Sequence, residues 1–200
     1  MGRIGRSATI ERHTAETEIS LTLDLEGSGK GQRESGIGFF DHMLDLLAYH
    51  GRLDLEVVAK GDLQTGSHHT VEDVGICFGQ ALSKALGERK GVARFGAATV
   101  PMDEARSAVA IDLSGRPLLV FEGAVPPGRT GEFENELCEE FLRAVAGTAR
   151  ITLHVRLEAG RNAHHMIEAT FKAFALALRQ AVAIEAGREE VPSTKGTLGG

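Results

Sequence analysis

A repeated arrangement of histidine and glutamate is the clearest sign of chemistry in this 200-residue sequence. The pattern His-His-x-x-Glu occurs over residues 68–72 and again over residues 164–168. A chain with eight histidines would rarely contain this motif twice by chance, so the two copies need a common cause. Imidazole and carboxylate groups without thiolate suit Mn²⁺, Fe²⁺ or Zn²⁺. We therefore predict a divalent metal site, although one such pair alone is more typical of a helix cap or an exposed polar surface.

Each motif begins an amphipathic helix, and helical geometry decides which side chains can share an ion. Residues four apart lie on one helix face, so His68 can bind together with Glu72, and His164 with Glu168. The second histidine of each pair points about 100° away, because an α-helix has about 3.6 residues per turn. One copy of the motif can thus serve two sites. With His42 added, the candidate ligands are His42, His68, His69, Glu72, His164, His165 and Glu168.

Alternating apolar residues predict the strands that position these helices. Four segments alternate strictly, and each predicts a strand with one buried face: residues 19–25, 53–57, 109–113 and 151–155. Strands of this kind are typical of mainly antiparallel sheets that are covered on one side.

Helical spacing takes over between the strands. Apolar stripes predict long helices over 71–85 and 167–182, and two shorter helices are expected near 38–50 and 134–148. Gly87 and Gly187 stand where helix C-caps are expected.

The two halves of the chain follow the same order of elements. The predicted fold class is therefore α+β, with duplicated strand–strand–helix–strand–helix half-domains whose helices pack on one face of two sheets. We expect one domain over 1–200, made of repeats at approximately 6–90 and 94–186 that share one core, followed by a tail over 187–200.

Composition narrows the function classes further. Acidic residues outnumber basic ones 28 to 22, which gives a formal charge of −6 and argues against a nucleic-acid binder. Cys77 and Cys138 cannot form a disulfide framework and are expected as small core residues in a reducing compartment. The first residues lack an apolar signal segment, and no apolar run reaches membrane-spanning length. We expect a cytoplasmic protein with neither nucleic acid nor membrane as partner.

Four segments in the same order, residues 36–43, 66–73, 162–172 and 192–196, resemble imidazoleglycerol-phosphate dehydratases of histidine biosynthesis. The similarity runs from about residue 6 to residue 196. It implies a fold like domain 2 of ribosomal protein S5, trimers packed into a 24-subunit shell, and two Mn²⁺ ions per active site at subunit interfaces. The candidate ligands named above would hold these ions. Many family members carry a further metal-binding histidine where this chain has Glu140, so either this carboxylate or water takes that place.

The resemblance also implies a substrate and a reaction. The substrate would be D-erythro-imidazole-glycerol phosphate, and loss of water would give imidazole acetol phosphate. Because the proton to be removed is not next to a carbonyl, two metal ions on the ring nitrogens would stabilise an imidazolate. The imidazolate would expel hydroxide to form a diazafulvene, and a carboxylate would then remove the acidified proton. Glu16 matches the family's acid–base glutamate, with Glu168 as an alternative base.

Substrate contacts follow from the same resemblance. Two arginines, a serine and a lysine suit a phosphate dianion, since arginine forks and a lysine point charge both match its oxygens. The expected substrate-binding residues are Glu16, His42, His50, Arg94, Arg116, Ser193 and Lys195. Two other functions would use the same histidines, namely a non-catalytic metal store and a di-metal hydrolase that activates water.

Overall fold

The computed structural model describes residues 5–198. The predicted domain and its tail therefore extend outside the described residues at 1–4 and 199–200. The first half of the chain forms, in order, β1 (Ser7–His13), β2 (Thr17–Asp24), β3 (Arg33–Glu34), α1 (Gly38–Gly51), β4 (Asp54–Gly61) and α2 (His68–Leu86). A 3₁₀ turn at Leu63–Thr65 connects β4 to α2.

The second half forms the corresponding elements with one added hairpin. They are β5 (Phe95–Met102), β6 (Ala105–Asp112), β7 (Leu118–Glu122), β8 (Arg129–Thr130), β9 (Phe133–Glu134), α3 (Leu137–Ala149), β10 (Thr152–Ala159) and α4 (Ala163–Val182). The short strands β8 and β9 pair with each other immediately before α3.

The two main sheets have the same topology. One has the strand order β1-β2-β4-β3 and the other β5-β6-β10-β7. In each sheet the last strand runs parallel to its neighbour, whereas the other pairings are antiparallel. The predicted α+β class with duplicated half-domains is confirmed. The short third strand of each half was not predicted, because β3 has only two residues and β7 shows no alternation between buried and exposed positions.

One apolar core joins the two halves. Phenylalanines from all four helices meet in it: Phe40 of α1 and Phe78 of α2 lie against Phe141 of α3, which stacks on Phe171 of α4 at 5.3 Å between ring centroids. These rings are fully buried, as are the free thiols of Cys77 and Cys138. Aromatic contacts of this kind add to the stabilisation from burial and fix α1 and α4 side by side.

The observed helices agree with those predicted from apolar periodicity, except for the cap expected after α4. The predicted helices near 38–50 and 134–148 are observed at Gly38–Gly51 and Leu137–Ala149, and Gly87 caps α2 as expected. The prediction that Gly187 caps a helix is wrong, because α4 ends at Val182 with Ala183 as its C-cap. Gly187 instead lies at a positive φ of 82° in a turn beyond the helix. No helix among residues 5–198 is long and apolar enough to cross a bilayer.

Candidate metal centre and active site

Three of the predicted ligands converge between α1 and α4. His42 Nε2 lies 3.5 Å from Glu168 Oε2, and His164 Nε2 lies 3.0 Å from the same oxygen. One ligand atom from each residue falls within 4.8 Å of the other two. Within the described range, no other set of three histidine, cysteine or acidic side chains comes this close. We call these three residues the α1–α4 cluster.

The carboxylate of the α1–α4 cluster is buried and charged. The Glu168 side chain is 7% exposed, and Lys172 Nζ lies 2.6 Å from its Oε1. Burial alone would raise the pKa of Glu168, but the hydrogen bond and charge of Lys172, together with His164, hold it below its usual value. Because Lys172 occupies one oxygen, the other oxygen is left facing the two histidines. Glu168 is thus an anionic candidate ligand, and one of its two oxygens is already paired with Lys172.

The first copy of the motif places a second histidine–carboxylate pair on α2. His68 Nε2 lies 3.4 Å from Glu72 Oε2, and both side chains are about half exposed. Glu140, which corresponds to His42 in the repeat, lies on α3 with its Oε2 3.6 Å from Arg143 Nε. Among the described residues, Glu140 joins neither the α1–α4 cluster nor the His68–Glu72 pair.

The second histidine of each pair contacts a different acid from the first, in agreement with their predicted divergence on the helix. The two rings of each pair are nearly perpendicular, at 83° in the first copy and 80° in the second. His69 Nδ1 lies 3.1 Å from both carboxylate oxygens of Asp62, which raises the pKa of His69. His165 Nδ1 lies 2.7 Å from Glu104 Oε2, which raises the pKa of His165.

Two glycines allow the loops before α2 and α4 to approach these motifs. A Cβ on Gly61 would fall 1.9 Å from Thr70 Oγ1, and one on Gly160 would fall 2.4 Å from Met166 Cγ. Gly160 also has a φ of 145°, which side chains rarely adopt. The start of α4 is further fixed by Asn162, whose side chain accepts a hydrogen bond from His164 N. The first histidine pair is therefore held close to the end of β4, and the second close to the end of β10.

Glu16 and Glu104 occupy corresponding turns of the two repeats but have different surroundings. Glu104 accepts hydrogen bonds from the backbone nitrogens of Arg161 and Asn162 as well as contacting His165. The His165 contact and these two bonds lower the pKa of Glu104 to about 2. Glu16 is 54% exposed, and its Oε1 lies 3.7 Å from His69 Nε2. Of the two carboxylates, Glu16 is the one that can move toward a ligand.

Arg94 connects the body of the protein to the tail. Its Nε and Nη2 donate to Asp112 at 2.7 and 3.1 Å, and its Nη1 donates to the carbonyl of Pro192 at 2.8 Å. The exposed Arg116 places Nη2 3.9 Å from the same Asp112 carboxylate. Arg94 and Arg116, both predicted phosphate contacts, thus pair with the same carboxylate. The bond from Arg94 to Pro192 also brings the adjacent Ser193 next to Arg94.

The remaining predicted substrate contacts lie in the tail and at the end of α1. Ser193 Oγ accepts a hydrogen bond from the backbone nitrogen of Lys195, whose side chain is exposed. The stretch that includes Ser193 lines a cleft of about 960 Å³ together with Arg94. His50 is in the last turn of α1, where burial and the charge of Lys172 lower its pKa.

Sequence reasoning missed three residues that contact the predicted site residues. Lys172 follows Glu168 by four positions, so helical spacing could have identified the pair. Asp112 ends β6 and binds Arg94 across the sheet edge, a contact that needs the strand register. Asp62 reaches His69 through the turn after β4, and no spacing rule signals that contact.

The donor atoms fit a divalent transition metal. The α1–α4 cluster offers two imidazoles and one carboxylate, and the pair on α2 offers one of each. Such mixed nitrogen and oxygen sets, without thiolate, are typical of Mn²⁺, Fe²⁺ and Zn²⁺ sites. Three donors do not fill the coordination shell of Mn²⁺, so further ligands must come from outside the cluster.

Comparison with known proteins agrees with this geometry. A family model described as imidazoleglycerol-phosphate dehydratase matches residues 35–178. The imidazoleglycerol-phosphate dehydratase of Moorella thermoacetica is 56% identical over 195 residues, which cover 98% of this chain and 100% of that protein. The corresponding protein of Azorhizobium caulinodans is 54% identical over 196 residues, with 98% and 100% covered.

A solved structure shows the same fold. The imidazoleglycerol-phosphate dehydratase from Staphylococcus aureus superposes with a TM-score of 0.82 at 37% identity, covering 90% of this chain and 99% of that one. These similarities extend over nearly the whole chain and confirm the resemblance found in the four sequence segments. The chain therefore belongs to the imidazoleglycerol-phosphate dehydratase family, a family of hydro-lyases.

Proposed function

We propose that this chain catalyses the manganese-dependent dehydration of D-erythro-imidazole-glycerol phosphate to imidazole acetol phosphate in histidine biosynthesis. The observation that carries the proposal is the α1–α4 cluster, with a second histidine–carboxylate pair on α2. The names of the relatives describe dehydratases of imidazoleglycerol phosphate. A cytoplasmic location is part of the proposal, since the substrate is a free metabolite.

Two Mn²⁺ ions per active site would be held by the candidate histidines and glutamates. His42, His164 and Glu168 provide three ligands from one chain, and His68 with Glu72 provides two. Bound at these residues, Mn²⁺ would supply Lewis acidity to the imidazole ring of the substrate. Lys172 keeps Glu168 ionised, so this ligand carries a negative charge without a compensating proton.

Glu16 is the proposed acid–base residue. Its backbone is fixed, because the nitrogen donates to Thr14 Oγ1 and the carbonyl accepts from Asp62 N, whereas its carboxylate stays exposed. A base needs a carboxylate that can both reach the reacting C–H and give up its proton afterwards. Glu168 suits this role less well, since Lys172 and the cluster histidines occupy its oxygens.

Arg94, Arg116, Ser193 and Lys195 are the proposed phosphate contacts. Arginine forks and a lysine ammonium together match the charge and the oxygens of a phosphate dianion. The bond from Arg94 to Pro192 supports this assignment, because it holds the tail segment beside the arginine. His50 and His42 complete the proposed set of substrate contacts at the two ends of α1.

The assembly that we propose is a set of trimers packed into a 24-subunit shell. The α1–α4 cluster supplies too few donors for a six-coordinate ion, while His69 and His165 lie outside it and contact Asp62 and Glu104. Symmetry-related copies could bring these histidines to the clusters. Exposed apolar side chains such as Tyr49, Phe95 and Leu118 are available for contacts between copies.

The products of the reaction distinguish this proposal from the alternatives. Protein loaded with Mn²⁺ is incubated with the substrate, and both the enolisable ketone and inorganic phosphate are measured. A dehydratase forms the ketone and leaves the phosphate ester intact. Release of phosphate without ketone would indicate a di-metal hydrolase, and metal binding without either product would indicate a metal store.

Replacing Lys195 with alanine is expected to weaken substrate binding more than turnover. The ammonium would contact phosphate in both the ground state and the transition state, so its loss raises KM by about 10- to 100-fold with a smaller change in kcat. Steady-state kinetics at saturating Mn²⁺ measures both constants. Lys30→Ala is the matched control, since Lys30 is exposed in the loop before β3 and should leave KM unchanged. A fall in kcat at unchanged KM would contradict the phosphate assignment.

Removal of the metal is expected to dissociate the shell into trimers. If ligands of one ion come from different subunits, the free energy of metal binding becomes free energy of association. Light scattering before and after chelation measures the particle mass, and adding Mn²⁺ at neutral pH should restore both size and activity. A metal-free protein that keeps its full size would show that packed apolar surfaces, and not the ions, hold the shell together.

A further inference from the structure

Two carboxylates contact the second histidine of each motif through its Nδ1 atom. Asp62 places both oxygens 3.1 Å from His69 Nδ1, and Glu104 places Oε2 2.7 Å from His165 Nδ1. In contrast, the acids of the two motifs contact histidine through Nε2. The acids around the histidines therefore form two groups, which differ in the ring nitrogen that they face.

The two contacts arise from different parts of the repeat. Glu104 lies in the turn between β5 and β6, which corresponds to the turn that holds Glu16 in the first half. Asp62 follows β4, and the residue that follows the corresponding strand β10 is Gly160. Duplication does not explain why both halves place a carboxylate on the same nitrogen of the second histidine. Because two different elements supply the same contact, its recurrence indicates that a carboxylate is needed at Nδ1 of this histidine.

A carboxylate on Nδ1 determines the state of the other nitrogen. An ionised carboxylate can only accept a hydrogen bond, so the proton of a neutral imidazole lies on Nδ1. Nε2 then carries a free lone pair, which is the form that binds a metal ion. The same hydrogen bond fixes the orientation of the ring and increases the basicity of Nε2.

We infer that Asp62 and Glu104 are positioning residues that hold His69 and His165 as Nε2 metal ligands. The inference rests on the proposed function, because it assumes that these two histidines bind the metal. It adds two residues that act through the ligands and touch neither the ion nor the substrate.

The test is the affinity for Mn²⁺ of Asp62→Ala and Glu104→Ala, measured by competition with a chelator of known affinity. Loss of such a partner typically costs 10- to 100-fold in metal affinity, so we expect the dissociation constant to rise by about that factor. We also expect turnover to recover as Mn²⁺ is raised, which a general defect in the fold would not allow. The melting temperature of the metal-free protein is measured in parallel.

Asp54→Ala is the matched control. Asp54 also caps a loop, accepting hydrogen bonds from the backbone nitrogens of Ser28 and Lys30, but it contacts no histidine. It should leave the Mn²⁺ affinity unchanged. Because Glu104 also binds two backbone nitrogens, Glu104→Gln and Asp62→Asn serve if an alanine variant fails to fold. These amides keep the size of the side chain and lose its charge, and we expect about 10-fold weaker binding.

The outcomes separate this inference from the proposed function. Wild-type protein that binds no Mn²⁺ would contradict the proposed function itself. Wild-type protein that binds Mn²⁺ tightly, with folded Asp62 and Glu104 variants that bind it equally well, would overturn the inference and leave the proposed function in place.

Discussion

Replacing Glu16 with glutamine is expected to lower kcat by about 10²- to 10⁴-fold while the metal content stays unchanged. Glutamine keeps the size and hydrogen bonding of the side chain but cannot take up or release a proton. Glu16 is exposed, its backbone bonds are kept in the variant, and its carboxylate lies 3.7 Å from His69 Nε2, so the variant should fold normally. Steady-state kinetics and metal analysis of the purified variant measure the two quantities.

Glu18 provides a matched control for this prediction. It lies two residues further along, at the start of β2, and its side chain is 64% exposed, close to the 54% exposure of Glu16. Glu18→Gln also removes one negative charge, but Glu18 contacts His13 of β1 and not the histidines of α2. Turnover should stay at the wild-type value in this variant. Near-normal turnover in Glu16→Gln would assign the proton transfer to another residue.

Replacing His164 with alanine is expected to weaken metal binding by more than about 100-fold. Residues that only orient a metal ligand typically contribute 10- to 100-fold, so loss of a direct ligand should cost more. His164 Nε2 lies against the buried Glu168, and its removal leaves that carboxylate with one imidazole in place of two. Chelator competition measures the affinity, and activity should fall in parallel at limiting Mn²⁺.

His13→Ala tests whether loss of any histidine has this effect. His13 ends β1 and is 65% exposed, with its Nδ1 3.9 Å from Glu18. It belongs to neither the α1–α4 cluster nor the pair on α2. The control should bind Mn²⁺ as the wild type does. Equal affinity in His164→Ala would contradict the assignment of the cluster as a metal site.

The elements that position the site follow from apolar periodicity. The stripes on α2 and α4 point inward as predicted, and the four alternating segments became β2, β4, β6 and β10. Helical geometry alone also predicted that His68 and His69 diverge, and the two side chains contact different acids. These features are local, since they depend on residues within one helix or one strand.

Contacts between distant segments could not be derived in the same way. The approach of His42 to Glu168 requires α1 to pack beside α4, which the phenylalanine core determines. The contact of Arg94 with Asp112 depends on the register of β5 against β6. Neither pairing leaves a periodic signal in the sequence. The sequence analysis suggested His42, Glu168 and Arg94 but not Asp112, and the fold showed which of these residues meet.

Glu140 shows the limit of reasoning from repeats. Its place in the second half corresponds to His42, which made it a candidate ligand. In the structure it pairs with Arg143, one turn further along α3, at 3.6 Å. Whether it also binds an ion depends on ligands from other copies of the chain, so its role stays a prediction.

The most direct test of this account is to locate the metal. A crystal of the Mn²⁺-loaded protein, measured at the manganese absorption edge, shows each ion as an anomalous difference peak. We expect one peak at about 2 Å from His42 Nε2, His164 Nε2 and Glu168 Oε2, and a second beside His68 and Glu72. Fully loaded crystals with manganese peaks elsewhere, or with none at the α1–α4 cluster, would contradict the account.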